Sequence, residues 1–202
     1  MNLREIKKRS ERPESKALSV RSAAQCIIKS VKEGLKDRNQ NSSSGYLIKT
    51  YKMGQSLNKI YVHLVFTTKH RNPLITVAIQ DELFNYLGGI CKGLECNPIQ
   101  VGGYRDHVHI LCLLSKKIAL MKLVEEVKSH SSKWIKTKGI DFENFYWQNG
   151  YGAFSVNPTE IEVVKNYIIN QEEHHKTKSF QEEFLGFLKK YNVEFDDRYI
   201  WD

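Results

Sequence analysis

Hydrophobic and polar positions along the chain follow two different periods, and each change of period marks a predicted element. Residues 60–67 are rich in β-branched and aromatic side chains, which is typical of a strand. Residues 76–94 instead carry apolar side chains three and four positions apart, which predicts an amphipathic helix. The whole pattern predicts, in chain order, strand 60–67, helix 76–94, strand 99–103, strand 107–114, helix 120–136, a strand within 145–156, helix 159–174 and helix 180–191.

This order of elements indicates an α+β fold of the ferredoxin-like, split βαβ type, which RRM domains share. We expect an antiparallel sheet with the first and third strands in its centre and the two intervening helices on one face. The other face is either open or covered by another part of the structure. Thr159 and Glu162 have the spacing of a capping box, which predicts the start of the helix that follows the fourth strand.

Residues 1–52 differ from the rest of the chain and are predicted to be a basic, partly disordered N-terminal extension. They hold 13 Lys and Arg against 5 Asp and Glu, and the resulting +8 equals the formal charge of the whole chain. The polar run 39–45 is typical of a flexible linker. Two interpretations stay open: a basic DNA-binding arm, or sequence translated from upstream of a true start at Met53. The folded domain is predicted to span residues 53–202.

Charge within that domain is unevenly distributed. Residues 53–138 hold 12 basic and 6 acidic side chains, whereas residues 139–202 hold 6 basic and 12 acidic ones. A basic half suits a polyanionic partner such as nucleic acid. An ordinary solvated surface explains the same numbers equally well, so charge alone does not decide between the two.

Apolar runs and cysteines limit the class of protein. No apolar run approaches the ~18 residues of a membrane span, and no apolar stretch of a secretory signal is present near the N-terminus. The four cysteines include no C-x-x-C pair and are too irregularly spaced for a zinc ribbon. We therefore expect reduced thiols in a cytoplasmic protein.

His107 and His109 flank Val108 on the predicted third strand. Because side chains alternate across a strand, both imidazoles are expected on one face, where they could form an edge of a metal site. Two ordinary polar positions are the alternative interpretation. Leu111 and Leu113 share the histidine face, so we expect that face to be covered by another element.

The helix predicted over residues 159–174 brings a second set of polar side chains together. Tyr167 and Gln171 are four residues apart and therefore neighbours on one side of this helix. A core aromatic and a solvent-facing amide are the alternative interpretations of these two residues. His174, one turn further on, competes weakly with Gln171 as a metal ligand.

Four segments together resemble a known family, the single-tyrosine HUH transposases. These are the TnpA-type enzymes of the insertion-sequence 200/605 family, with REP-associated transposases as close relatives. The resemblance covers roughly residues 55–202, and it combines the His-hydrophobic-His strand with a Tyr-x-x-x-Gln motif on a later helix. Residues 1–52 depart from the family pattern. The segments that carry the resemblance are 61–71, 106–111, 147–156 and 164–171.

The resemblance implies an enzyme that cleaves and rejoins single-stranded DNA at the ends of a mobile element. Tyr167 would be the nucleophile and would form a 5′-phosphotyrosine intermediate. His107, His109 and Gln171 would bind a divalent metal ion, with Mg²⁺ as the physiological ion and Mn²⁺ as a substitute. The phosphodiester energy is kept in the covalent intermediate, and the chain holds no nucleotide-binding P-loop, so no nucleotide cofactor is expected.

The resemblance also implies partners. The substrate would be single-stranded DNA with hairpins at the element ends, and the enzyme would be a homodimer in which one chain's tyrosine helix covers the partner's histidines. A solvated surface is the alternative role for each candidate DNA contact. These candidates are Lys69, Arg71, Tyr104, Arg105, Lys128, Ser131, Lys133 and Lys136.

Other polar residues near these motifs are expected to play lesser roles. Asp106 is expected to fix the turn before the third strand, and His63 to be structural. His130 and His175 are expected to be exposed to solvent.

Two other functions stay open at this point. A non-mobile, REP-associated relative would perform the same chemistry on repeated hairpins. An RRM-like module would bind nucleic acid without catalysis, and it would need exposed aromatic side chains on the central strands.

Overall fold

A computed structural model of the chain describes residues 56–198, 200 and 201, and the predicted N-terminal extension over residues 1–52 lies outside them. Most predicted elements are confirmed to within two residues. No helix among the described residues is long and apolar enough to cross a membrane. The strands and helices are β1 Tyr61–Thr67, α1 Val77–Gly93, β2 Asn97–Gly103, β3 His107–Leu113, α2 Leu120–Ile135, β4 Gly152–Val156, α3 Ile161–Ile169, α4 Gln171–His174 and α5 Phe180–Lys190.

The four strands form one antiparallel sheet in the order β2-β3-β1-β4. The prediction that the first and third strands lie in the centre is confirmed, and so is the α+β fold class. In the register of the two central strands, Val65 pairs with His109 and His63 pairs with Leu111. Since paired residues point to the same side of a sheet, these four side chains share one face.

The opposite face of the sheet carries the main hydrophobic core. Leu64 and Phe66 on β1 alternate with the residues just named, and they meet Val108 and Ile110 on β3. The helices α1 and α2 pack on these side chains, mainly through Leu83 and other aliphatic residues at helical spacing. Burial of these apolar side chains is the main force that holds the two interstitial helices against the sheet.

The histidine face is covered by the C-terminal helices of the same chain. The helix α5 places Phe180, Phe184 and Leu188 at four-residue spacing, and they pack with Val65 and Phe154 of the sheet. The helix α3 closes the other side of this face through Ile168, which packs with Leu111. The cover that the sequence requires is therefore supplied within one chain.

Two predictions about the segment after β4 are wrong. A single helix over residues 159–174 is predicted, but the structure interrupts it at Asn170, between α3 and α4. The capping box at Thr159 is absent because Thr159 lies in a 3-10 turn, where the side chain of Asn157 accepts the Thr159 backbone N–H. A capping box is instead formed at the start of α5, by Ser179 and Glu182.

Gly102 allows α3 to approach the sheet closely. This residue lies on β2 and pairs with His109 of β3. A Cβ atom added at Gly102 would lie 2.7 Å from the carbonyl oxygen of Ile168 and 2.7 Å from its Cγ2 atom. Because the nearest obstacle is helix backbone, the helix itself would have to move. The position of α3, and of Tyr167 on it, therefore depends on a glycine at this point.

We expect Gly102→Ala to destabilise the domain by about 1–3 kcal/mol, the usual cost of overpacking. Gly89→Ala is the matched control, because Gly89 lies inside α1 with no atom within 4 Å of its added Cβ. The control should leave stability unchanged or raise it by about 0.5–1 kcal/mol. Urea unfolding of both variants measures the difference, and equal stabilities would contradict the close approach.

Candidate active site

His107 is the first residue of β3, and both of its ring nitrogens have close neighbours. Nδ1 lies 2.7 Å from Oδ1 of Asp106. Nε2 lies 3.1 Å from Oε1 of Gln171 and 3.1 Å from Nε2 of His175. The strand histidine and the helix glutamine, which the sequence predicts to share a site, are in contact within a single chain.

The protons on the two imidazoles can be assigned from their outer neighbours. Asp106 accepts the Nδ1–H of His107, so Nε2 of that ring points toward Gln171 and His175. Nδ1 of His175 lies 2.8 Å from the carbonyl oxygen of Lys178, so this ring also keeps its proton on Nδ1. Burial, and then the neighbouring His107, lowers the pKa of His175 to about 4, so the ring is neutral at pH 7. The Nε2 atoms of the two rings therefore face each other at 3.1 Å.

Gln171 adds a third acceptor to this group. Its Nε2 donates to Oε1 of Glu183 over 3.0 Å, which leaves its Oε1 facing the two histidines. That Oε1 lies 3.1 Å from Nε2 of His107 and 3.0 Å from Nε2 of His175. We call these three atoms, one each from His107, His175 and Gln171, the acceptor cluster. Lone-pair atoms at such distances repel one another unless a proton or a cation lies between them.

The acceptor cluster fits a divalent cation. Adjacent ligands of an octahedral ion with bonds of ~2.1 Å lie about 3 Å apart, and the separations in the cluster are 3.0, 3.1 and 3.1 Å. Neutral imidazole nitrogens and amide oxygens are ordinary ligands of divalent ions. The residues present could therefore hold a metal ion, with His107 and Gln171 among its ligands.

His109 lies on the same face as His107, and it offers a further nitrogen. Its Nδ1 is 2.9 Å from Nε2 of His63, whereas its own Nε2 has no hydrogen-bond partner. Burial, and then the neighbouring His107, holds the pKa of His109 well below its usual range. Burial, and then the Lys190 charge, lowers the pKa of His63 to about 4. Both rings are therefore neutral at pH 7, and His63 orients His109.

Tyr167 packs beside these histidines from α3. Its ring centroid lies 5.9 Å from that of His109, 5.2 Å from that of His174 and 5.7 Å from that of Phe187. The tyrosine is partly exposed, whereas the histidines of β3 are buried. The structure thus places the predicted nucleophile next to the predicted metal edge, within the same chain.

Glu183 belongs to this site and was not anticipated from the sequence. The residue is 3% exposed and comes from α5. Burial, and then the Asp106 charge, raises its pKa to about 8. A signal was present in the sequence: Glu183 is a charged residue inside the apolar stripe that Phe180, Phe184 and Leu188 form on α5.

Two expectations for neighbouring residues need correction. His175 is expected to be exposed, but its side chain is only 4% exposed, because it stacks on Tyr104 with ring centroids 5.3 Å apart. Asp106 is expected only to fix a turn, but it also accepts a hydrogen bond from His107. His130 is exposed as predicted, and His174 contacts the ring of Tyr167.

Ser131 does not present its hydroxyl to a DNA strand, contrary to prediction. The residue is fully buried in α2, where its Oγ donates to the carbonyl of Val127 and accepts from Nε1 of Trp147. The serine therefore ties α2 to the segment before β4. Sequence periodicity could not reveal this contact, because Trp147 lies outside any regular element.

Lys128 holds the same segment in place. Its ammonium group donates to the carbonyl oxygens of Gln148, Asn149 and Gly150. Burial lowers the pKa of Lys128 to about 8. Lys133, on the same helix, is exposed. Of the two lysines, Lys133 is therefore the candidate DNA contact that a ligand could reach freely.

The other candidate DNA contacts lie at the rim of the sheet and on its helices. Lys69 is exposed just after β1, and the guanidinium of Arg71 lies 5.5 Å from the ring of Trp201. The Arg105 guanidinium lies over the ring of Tyr104, and that ring stacks on His175. Tyr104 and Arg105 therefore lie next to the candidate active site. The Lys136 ammonium lies 3.5 Å from the ring centroid of Tyr146.

The sequence matches the family model described as Transposase IS200 like over residues 56–171, which is more than half of the chain. The chain belongs to the IS200-like transposases. The match ends at Gln171, so His175 and Glu183 lie beyond it. A comparison with curated proteins finds no match.

Two solved structures are similar to this transposase-family chain at low identity. One is a candidate transposase from Deinococcus radiodurans, which is 20% identical, with a TM-score of 0.46 over 65% of this chain and 98% of that one. The other is a REP-associated tyrosine transposase bound to a REP hairpin, which is 16% identical, with a TM-score of 0.45 over 67% of this chain and 74% of that one. Membership of the family therefore rests on the sequence match.

We expect Lys128→Met to destabilise this transposase by about 1–3 kcal/mol, because a charged donor to three carbonyl oxygens is lost. Lys133→Met is the matched control on the same helix, and its effect should stay within about 0.5 kcal/mol. Thermal and urea unfolding of the two variants give the comparison. If both variants were as stable as the unmodified protein, the structural role of Lys128 would be disproved.

Proposed function

We propose that this protein cleaves and rejoins single-stranded DNA, with Tyr167 as nucleophile and a divalent metal ion on the histidine face of the sheet. The observation that carries the proposal is the convergence of Tyr167, His109 and the acceptor cluster on one face of the sheet in a chain of the IS200-like transposase family. A lone tyrosine or a histidine pair would not support it.

The metal ligands in this proposal are His107, His109 and Gln171, with Mg²⁺ as the physiological ion and Mn²⁺ as a substitute. When bound, such an ion would polarise the scissile phosphate and stabilise charge on the leaving oxygen. Asp106 holds the proton of His107 on Nδ1, and His63 contacts Nδ1 of His109. These two outer contacts orient the lone pairs of the ligands into the site.

Tyr167 carries out the covalent step in this proposal. Its phenol oxygen attacks the phosphorus, the bond from phosphorus to the 3′ oxygen breaks, and a 5′-phosphotyrosine and a free 3′-hydroxyl result. The phenol proton goes to a neighbouring base and the leaving 3′ oxygen gains one. His174 is a candidate acceptor because its ring contacts Tyr167 and its Nε2 has no partner. Attack of a 3′-hydroxyl on the phosphotyrosine reverses the exchange and rejoins the strand without a nucleotide cofactor.

We propose single-stranded DNA with hairpins as the substrate, and Lys69 and Lys133 as backbone contacts, since both are exposed. A cytoplasmic location near the nucleoid follows from that substrate. The RRM-like alternative is disfavoured, because the sheet face that such a module uses for stacking is covered here by α3 and α5. A non-mobile relative that processes repeated hairpins would use the same residues.

The contacts within one chain support a self-contained site. The resemblance implies a homodimer with exchanged tyrosine helices, but Gln171 already contacts His107 of its own chain, and Tyr167 already packs on its own His109. We propose that each chain carries a complete site, whether or not two chains associate.

The nucleophile is tested with Tyr167→Phe, which removes only a hydroxyl from a partly exposed ring. This variant should fold and bind a hairpin-bearing single strand, but it should form no covalent adduct on a denaturing gel. Tyr151→Phe is the control, since Tyr151 is exposed and lies outside the site. An adduct formed by Tyr167→Phe would place the nucleophile elsewhere.

Whether sites are shared is tested by mixing two inactive variants, Tyr167→Phe and His107→Ala. If each chain is self-contained, every site keeps one defect and the mixture should stay inactive. If the tyrosine helix is exchanged between chains, one site in each mixed dimer has neither defect and cleavage returns. Co-purification of the two variants, each with a different affinity tag, establishes whether mixed dimers form.

A further inference from the structure

Glu183 is a carboxyl group at a position where the fold otherwise places apolar side chains. It lies one turn after Phe180 and next to Phe184, on the side of α5 that packs on the sheet. The ring of Phe180 also packs on the ring of His107, with centroids 4.7 Å apart. Removing a carboxyl group from water in such surroundings is costly unless the group is compensated. Its partners therefore indicate what the group does.

The contacts of Glu183 satisfy only one of its two oxygens. Oε1 accepts from Nε2 of Gln171 over 3.0 Å. Oε2 has no hydrogen-bond partner, although it lies 3.3 Å from Nε2 of His175 and 3.9 Å from Nε2 of His107. The Nδ1 atoms of these two rings point at Asp106 and at the Lys178 carbonyl, so their Nε2 atoms are the ones that face Glu183. The free oxygen of Glu183 thus faces two ring nitrogens of the kind that bind divalent cations.

We propose that Glu183 and His175 bind the same divalent cation as His107, so that α5 supplies an anionic ligand to the metal site. This inference rests on the proposed function and adds two ligands to those that the sequence motifs indicate. The donor atoms of His107, His175 and Glu183 all lie within 4.8 Å of one another. Modest movement of the side chains brings such a set onto a single ion.

The donor set also indicates the class of metal. Imidazole suits transition metals, and carboxylate suits harder ions such as Mg²⁺ and Mn²⁺. Two or more imidazoles with one carboxylate therefore favour Mn²⁺ over Mg²⁺, since affinity at mixed sites increases along the transition series and Mg²⁺ prefers oxygen ligands and water. Mn²⁺ is therefore the ion that should bind most tightly and report best on this site, even with Mg²⁺ as the physiological ion.

Packing that does not involve Glu183 holds α5 in place. Ser179 and Glu182 form the capping box at its start, and Phe180 and Leu188 are buried against the sheet. Glu183→Gln keeps the size of the side chain and its contact with Gln171. This variant should therefore fold, and it isolates the loss of the anionic oxygen.

The test is a Mn²⁺ titration of the full chain, followed by the EPR signal of the free aquo ion, which disappears on binding. Glu183→Gln should weaken Mn²⁺ binding by at least about tenfold, in line with losses seen when metal-site contacts are removed. Glu182→Gln is the matched control, because it removes the same charge one residue away on the exposed side of α5. The control should bind as the unmodified protein does.

The outcomes separate this inference from the proposed function, because the titration requires no cleavage. Unchanged Mn²⁺ affinity in Glu183→Gln, or equal losses in both variants, would overturn the role of Glu183, even if the Tyr167 adduct forms normally. Loss of Mn²⁺ in Glu183→Gln alone would support it, even if no adduct forms with any DNA. The same Mn²⁺ titration of His175→Gln tests the second ligand, and unchanged affinity in that variant would remove His175 from the ligand set.

Discussion

The close approach of three buried polar atoms is the constraint on which the candidate site depends. Nε2 of His107, Nε2 of His175 and Oε1 of Gln171 lie 3.0–3.1 Å apart. Such a group is stable only if the surroundings hold it in place or a cation joins it. The outer hydrogen bonds to Asp106 and to the Lys178 carbonyl hold the two rings in the tautomers that create this arrangement.

The fold supplies each of these side chains from a different place. The central strand β3 carries the two histidines, the interrupted segment after α3 carries Gln171, and α5 carries Glu183. Apolar packing on both faces of the sheet fixes these elements independently of the site. The polar cluster is thus built inside a frame whose stability comes from burial of aliphatic and aromatic side chains, which is the usual way in which functional strain is tolerated.

The close approach of the α3 backbone to the sheet also positions the site. The absence of a Cβ atom at Gly102 lets α3 pass over β2, and this places Tyr167 beside His109. Lys128 and Ser131 also have a structural role, because their hydrogen bonds hold the segment before β4 in place. Both residues were predicted as DNA contacts, but their side chains make hydrogen bonds within the fold.

The sequence by itself determined the order of the elements, the central strands, and the shared face of His107 and His109, since strand alternation and helical spacing are local properties. It also indicated Tyr167 and Gln171, because the Tyr-x-x-x-Gln motif joins residues only four positions apart and can be recognised without a structure. Only the tertiary structure decided that α5 brings Glu183 into the site, that His175 is buried, and that Ser131 faces inward. Those placements depend on contacts between residues far apart in the chain, and periodicity carries no information about which distant element covers a given face. The break at Asn170 likewise became visible only in the structure.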